Sequence, residues 1–375
     1  MTWGSRRDVH LTCRDCECTF PLDPVRCWCD CGGLLDILGG VSVGRDQVDG
    51  RAYTLWRYKS TLPLPGDVRP VTLGEGWTPL VKAGWDGLPV YLKAEHLNPT
   101  GSFKDRGAAV LVTALKAAGV QDVVEDSSGN AGAALAAYAA RAGLHARIYV
   151  PAHASAVKQA QIAAYGAEVV PVPGPRIEAS RAVHRAVDAG AVYASHVYSP
   201  FYPQGVKTIA FEVWEQLGER APDSVVLPLG HGSLLRGVHR GFSELLSAGC
   251  IERIPRFFGV QAEACAPIAR AWTQGATDVE PVEGGQTVAE GVCIAAPPWG
   301  GAVLASVRES GGGVLAVSDA EALAAQKKLA HQGIYVEPTS ALAMAALDHV
   351  RDRVGSVPLV VLTGSGFKSE PESHR

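Results

Sequence analysis

The chain has 375 residues, enough for two domains with real cores, and its 47 % hydrophobic and 19 % charged content is that of a folded globular protein rather than a disordered one. A formal net charge of −4, with no dense run of Lys or Arg, argues against a nucleic-acid partner. The opening stretch MTWGSRRDVHL has no apolar core of signal-peptide type, and the longest apolar run, AGAALAAYAARAG, is too short to span a bilayer and carries Arg141, so the expectation is a cytoplasmic enzyme with no membrane partner.

Six of the nine cysteines fall between Cys13 and Cys31, a clustering that reads as metal rather than disulfides. CRDC supplies one knuckle through Cys13 and Cys16. CWCDCGG supplies a tighter one through Cys29 and Cys31, with Cys18 and Cys27 to spare. Four thiolates on two short turns suit tetrahedral zinc, and a segment too small to build a core needs a staple of this kind. A reduced cysteine-rich loop is the alternative. Further on, HLNPTGSFKDRG places Lys104 just inside the start of a helix. The first turn of a helix favours anions, because its free N–H groups and positive dipole end lie there, so a lysine is electrostatically misplaced and Asp105 offsets only part of the cost. Either Lys104 is a surface residue following a cap at Ser102 or Thr100, or its amine is depressed in pKa and acts as a nucleophile able to form a Schiff base.

From about residue 108 helical and strand patterns alternate. AAVLVTALKAAG is helical, QDVVED a strand, AGAALAAYAARAG helical, HARIYV a strand, ASAVKQAQIAAYG a helix and AEVVPV a strand. The pattern continues through GPRIEASRAVHRAVDAG, SVVLPLGHGSLLRGVHRGF, RFFGVQ, GGVLAVSDAEALAAQKKLA and VPLVVLTGSGF. This is the mark of an α/β fold with parallel strands and crossover helices, whose ligands sit at the carboxyl ends of the strands. Three strand-end loops carry unusual chemistry. In EDSSGNAG, Ser127, Ser128, Gly129 and Asn130 can hold a carboxylate at a helix start, or form an ordinary N-cap turn. In LGHGSL, Gly230 and Gly232 let backbone amides close on a phosphate and Ser233 adds a hydroxyl, but Leu235 stands where a dinucleotide fingerprint needs its third glycine. In LTGSGFK, Thr363 and Ser365 follow the last strand, which fits a tight turn equally well.

In this order on an α/β chain, the lysine of NPTGSFKDRG, the asparagine of SSGN, the loop GHGSL and the terminal LTGSG resemble the pyridoxal-phosphate enzymes of the tryptophan-synthase β type. Within that superfamily the chain is similar to the threonine synthases, where GEGWTPL (74–80), a cysteine-rich N-terminal ribbon and VLTGSG recur. The resemblance implies two open parallel-sheet domains, a large cofactor domain at 41–105 plus 206–375 and a small mobile domain at 106–205, preceded by a zinc-ribbon-like segment at 1–40 and assembled as a homodimer. It implies pyridoxal 5′-phosphate as cofactor, with Lys104 as its Schiff-base lysine and Asn130 on the pyridoxal 3′-oxygen. Gly230, His231, Gly232, Ser233 and Leu234 would line the cofactor phosphate, and Thr363 would meet the pyridine nitrogen.

The implied activity is that of a lyase taking O-phospho-L-homoserine and water to L-threonine and phosphate, with a small amino acid as the only partner. Two departures bear on the substrate. Threonine synthases typically grip the substrate phosphate with an asparagine and an arginine in an NPxRxEGQKT-like stretch, whereas SPFYPQGVKT has Ser199 and Tyr202 in those places. Lys207 remains, either as a phosphate ligand or as a structural residue of the next helix. TVAEGV (287–292) is closer to the TxADG of threonine and serine dehydratases, which keeps an ammonia-lyase giving a 2-oxo acid as the alternative, beside other β- or γ-eliminations.

Overall fold

The structure is a computed structural model that describes residues 9–40, 43–154 and 156–368. Most of the opening stretch examined for a signal sequence lies outside those residues. The chain runs β1 (His10–Cys13), β2 (Thr19–Phe20), β3 (Leu35–Leu38), β4 (Leu80–Trp85), β5 (Leu88–Lys93), α1 (Lys104–Ala117), β6 (Asp122–Glu125), α2 (Asn130–Ala142), β7 (His145–Pro151), α3 (Ala156–Ala164), β8 (Glu168–Val172), α4 (Arg176–Asp188) and β9 (Val192–Tyr193). It continues with α5 (Tyr202–Val206), α6 (Thr208–Gln216), β10 (Ser224–Pro228), α7 (Ser233–Ser247), β11 (Arg256–Ala262), α8 (Pro267–Thr273), α9 (Gly300–Glu309), β12 (Gly313–Val317), α10 (Asp319–His331), α11 (Pro338–Ala345), α12 (Leu347–Val350) and β13 (Pro358–Val361). The helix–strand alternation read from the sequence is present, and α1 begins at Lys104, four residues before its apolar pattern.

Two compact units divide the chain: the described residues up to Gly76 with Lys104–Val206, and Trp77–Phe103 with the described residues from Lys207 onward. In the first unit, β8–β7–β6–β9 form an all-parallel sheet, and β2–β1–β3 a small antiparallel ribbon. The ribbon buries Leu11, Leu35 and Ile37, and its second knuckle packs against aromatic side chains of the same unit. Trp28 lies 5.1–5.8 Å, ring centre to ring centre, from His184, Tyr193 and Tyr198, and the Cys27 thiol donates to the Tyr193 carbonyl at 3.5 Å. The described residues from 43 to Gly76 group with this unit. Polar anchors explain why: Val71 N–H donates to Thr113 Oγ1, and the buried Glu75 carboxylate accepts from Trp56 Nε1 and Tyr138 OH.

In the second unit the strand order is β12–β11–β10–β13–β5–β4, parallel except at β4. That antiparallel edge has a local cause. Asp86 and Gly87, joining β4 to β5, both take positive φ (47° and 82°), the two-residue turn whose twist matches a hairpin. The core lies between this sheet and α11, whose Thr339–Ala345 are all buried; Ala341–Ala345 supply apolar surface, while the Thr339 and Ser340 hydroxyls are hydrogen-bonded. No helix among the described residues is long and apolar enough to cross a membrane.

Candidate active site

Lys104 is the first residue of α1 and half-buried. Its ammonium nitrogen lies 5.9 Å from the centre of the Tyr202 ring, and Tyr202 OH donates to the Lys104 carbonyl at 2.9 Å. Tyr202, the first residue of α5, is 2 % exposed and packs its ring on α1: a Cβ on Gly107 would sit 2.2 Å from that ring, and one on Gly205 would sit 1.9 Å from the Arg106 carbonyl. Burial holds its phenol well above the usual range, so it stays neutral. The residue at the expected arginine position is therefore a packing residue with a committed hydroxyl.

The Ser127–Asn130 loop joins β6 to α2, and Asn130 opens the helix. Gly129 N–H donates to Ser127 Oγ at 3.3 Å, and Gly132 is required because a Cβ there would be 1.9 Å from the Ser127 carbonyl. Beneath the loop are groups that the sequence reading passed over. Glu125 (1 % exposed) accepts Ser127 N–H on Oε2 at 2.7 Å and meets His196 Nδ1 through Oε1 at 2.6 Å. Burial pushes the Glu125 carboxyl up to about 7, and burial with the nearby Lys104 charge holds His196 well below its usual range, so the imidazole is neutral. Tyr193 OH donates to Asp126 Oδ1 at 2.6 Å. The only signal in the sequence was the acidic doublet closing an apolar strand in QDVVED.

In the second unit, Gly230, His231 and Gly232 lead from β10 into α7, which starts at Ser233 and Leu234. Gly232 has φ 91°, and a Cβ on it would lie 2.4 Å from Val303 Cγ2; one on Gly230 would lie 3.0 Å from the Gly291 carbonyl. Thr363, 3 % exposed, follows β13, and its Oγ1 is 2.9 Å from Ser340 Oγ. Ser340 Oγ also accepts Gly364 N–H at 2.9 Å. Lys207 is 3 % exposed with its ammonium 2.9 Å from the Glu244 carboxylate of α7.

Within the ribbon, the Sγ atoms of Cys13, Cys16, Cys29 and Cys31 all lie within 4.8 Å of one another. Cys13–Cys31, Cys16–Cys29 and Cys16–Cys31 are separated by 3.6, 3.5 and 3.5 Å. Cys18 and Cys27 stand outside the set, so the spare cysteines sort themselves by geometry.

The sequence pattern of the family described as pyridoxal-phosphate dependent enzymes matches residues 71–364. The threonine synthase of Methanosarcina acetivorans is 37 % identical over 354 residues, 92 % of this chain and 87 % of its own length. That of Methanocaldococcus jannaschii is 36 % identical over 95 % of this chain and 92 % of its own. Among solved structures, a threonine deaminase from T.th. superposes with a TM-score of 0.68 at 29 % identity, covering 78 % of this chain and 94 % of that one.

Proposed function

Because the chain belongs to the family of pyridoxal-phosphate dependent enzymes, we propose that it is a threonine synthase converting O-phospho-L-homoserine and water to L-threonine and phosphate. The observation that carries this reading is the match to two threonine synthases over more than nine-tenths of the chain.

The residues fit that cofactor. Gly232 keeps open a cradle that a Cβ would fill, at the start of a fifteen-residue helix whose free N–H groups favour a phosphate. Gly230, His231, Gly232, Ser233 and Leu234 would hold the phosphate, Asn130 would donate to the ring 3′-oxygen, and Lys104 Nζ would be the covalent anchor. When bound, pyridoxal phosphate supplies an electron sink for charge left at the substrate Cα.

Ser127, Ser128 and Gly129 hold the substrate α-carboxylate at the start of α2. Lys104 Nζ would accept the Cα proton, and could accept a proton from Cβ only after passing the first one on. Thr363 Oγ1 and Ser340 Oγ share a 2.9 Å hydrogen bond in which either hydroxyl can donate, and when Ser340 donates, the Thr363 proton would be available to the pyridine nitrogen. A neutral hydroxyl does not force protonation there as a carboxylate does, which favours elimination over transamination.

The test is a parallel assay with O-phospho-L-homoserine, L-threonine and L-serine, reading phosphate and 2-oxo acid. One observation favours a second reading, an ammonia-lyase acting on a hydroxy amino acid: the enclosed Tyr202 stands where a phosphate-gripping arginine is expected, and such a substrate needs none. Release of 2-oxobutyrate from L-threonine, with no phosphate from the phosphoester, would select it.

For the ribbon we propose one structural zinc held by Cys13, Cys16, Cys29 and Cys31. Sulfur separations of 3.5–3.6 Å are close to the roughly 3.8 Å edge of a tetrahedron with Zn–S bonds of about 2.3 Å. With four thiolate ligands no position is left for water, so the metal is not catalytic. Metal analysis of protein prepared without chelator is expected to give about one zinc per chain; finding none rejects the site.

A further inference from the structure

We propose that the buried Glu125–His196 pair is a positioning pair for the Ser127–Asn130 loop and sets how tightly that loop holds the substrate α-carboxylate. This rests on the loop's role in the reading above, which the threonine synthase and ammonia-lyase alternatives share.

Glu125 ends β6 two residues before Ser127, and its two oxygens are divided between Ser127 N–H at 2.7 Å and His196 Nδ1 at 2.6 Å. On the other side, Ser127 is fixed by its carbonyl, which lies where a Cβ of residue 132 would be. A carboxyl group 1 % exposed beside an imidazole 6 % exposed is costly to bury, and a glutamine could make the same two hydrogen bonds. What glutamine cannot supply is charge. A carboxylate holds an N–H roughly twice as strongly as a neutral acceptor does. The charged and titratable groups around the pair come from several elements: Lys104 of α1, Arg176 of α4, Asp126 at the end of β6, Tyr193 of β9 and Tyr202 of α5. Burial opposes the carboxylate, while the Ser127 N–H and the Arg176 and Lys104 cations favour it, which brings the balance point to about 7.

Above that point Glu125 accepts from both neighbours as an anion. Below it, the carboxyl proton goes to His196 Nδ1, the neutral imidazole carries its own proton on Nε2, and Ser127 N–H is left with a neutral carbonyl. The loop is then held more loosely, as it would be at every pH in Glu125→Gln.

The readout is the ratio of the Glu125→Gln KM to the wild-type KM across pH, which cancels titration of substrate and cofactor. It is expected to rise from about one below pH 6 to about fivefold above pH 8, the difference between a charged and a neutral acceptor, with the effect on KM and not kcat. His196→Ala removes one partner of the carboxylate and should move the midpoint of the wild-type profile upward. With an amine analogue lacking the α-carboxylate, tested as an inhibitor, the ratio of inhibition constants should stay flat. A ratio that is flat with the amino acid, or a loss confined to kcat, overturns the proposal. If Glu125→Gln does not fold, the His196→Ala midpoint decides alone. If wild type acts on L-threonine but not on the phosphoester, the threonine synthase reading fails while the ratio, measured on L-threonine, still tests the pair.

Discussion

The loops after β6 and β10 occupy equivalent places in their own units: each follows the carboxyl end of a parallel strand and opens a helix. Their construction differs. Ser127–Asn130 rests on a buried carboxylate, whereas Gly230–Ser233 is walled by Val303 and the Gly291 carbonyl and shaped by a left-handed glycine. The contrast follows from the charge each is proposed to hold. A carboxylate behind a loop orients one N–H strongly but repels an anion in front, a repulsion that a doubly charged phosphate feels twice over and a single α-carboxylate once. A phosphate loop is therefore best shaped by glycine alone, while a carboxylate loop can rest on an acid.

The largest expected effect removes the group that neither loop supplies. Lys104→Ala should lose roughly three orders of magnitude or more in turnover while the Gly230–Leu234 loop still binds the cofactor. Borohydride reduction of the wild type should label one peptide, the one containing Lys104; a label elsewhere, or near-normal turnover in the variant, breaks the assignment.

Next comes the glycine loop itself. Gly232→Ala places a Cβ 2.4 Å from Val303 in a backbone of φ 91°, and cofactor affinity in a titration should fall about tenfold or more. An unchanged affinity would mean the phosphate is held elsewhere.

The carboxylate loop should show a trade of stability for grip. Glu125 has a folded-state carboxyl raised from 4.5 to about 7 by burial. Between those values the folded chain keeps a proton that the unfolded chain has lost, so this group's contribution to stability falls as pH rises through the window. Glu125→Gln should consequently melt a few degrees above wild type at pH 8, with the gap closing toward pH 4.5. A gap that widens on acidification contradicts the raised carboxyl.

The smallest effect concerns Tyr202. Tyr202→Phe loses only the bond to the Lys104 carbonyl and should cost about 1 kcal/mol in denaturant unfolding, with little change in KM for the phosphoester. A marked rise in that KM would return the phenol to the substrate.

Much of this molecule was set by local pattern. Helix and strand periods alternate along the chain because each crossover buries one apolar face, so the order of elements follows from spacing alone. The CxxC and CxC knuckles bring four sulfurs together through their own short turns. Lys104 at a helix start was visible as a misplaced charge. Other residues became intelligible only in three dimensions. Tyr202 and Lys207 sit in one short stretch, and only the fold reveals that the first packs against Gly107 and the second pairs with Glu244. Cys27 and Cys29 differ only in which way the second knuckle turns them. Glu125 and His196 are 71 residues apart, and neither carries a local signal that names the other. Their hydrogen bond exists because the segment after β9 returns beside β6. Spacing determines what a residue's immediate neighbours do, but desolvation and partner choice depend on contacts that only the folded sheet creates.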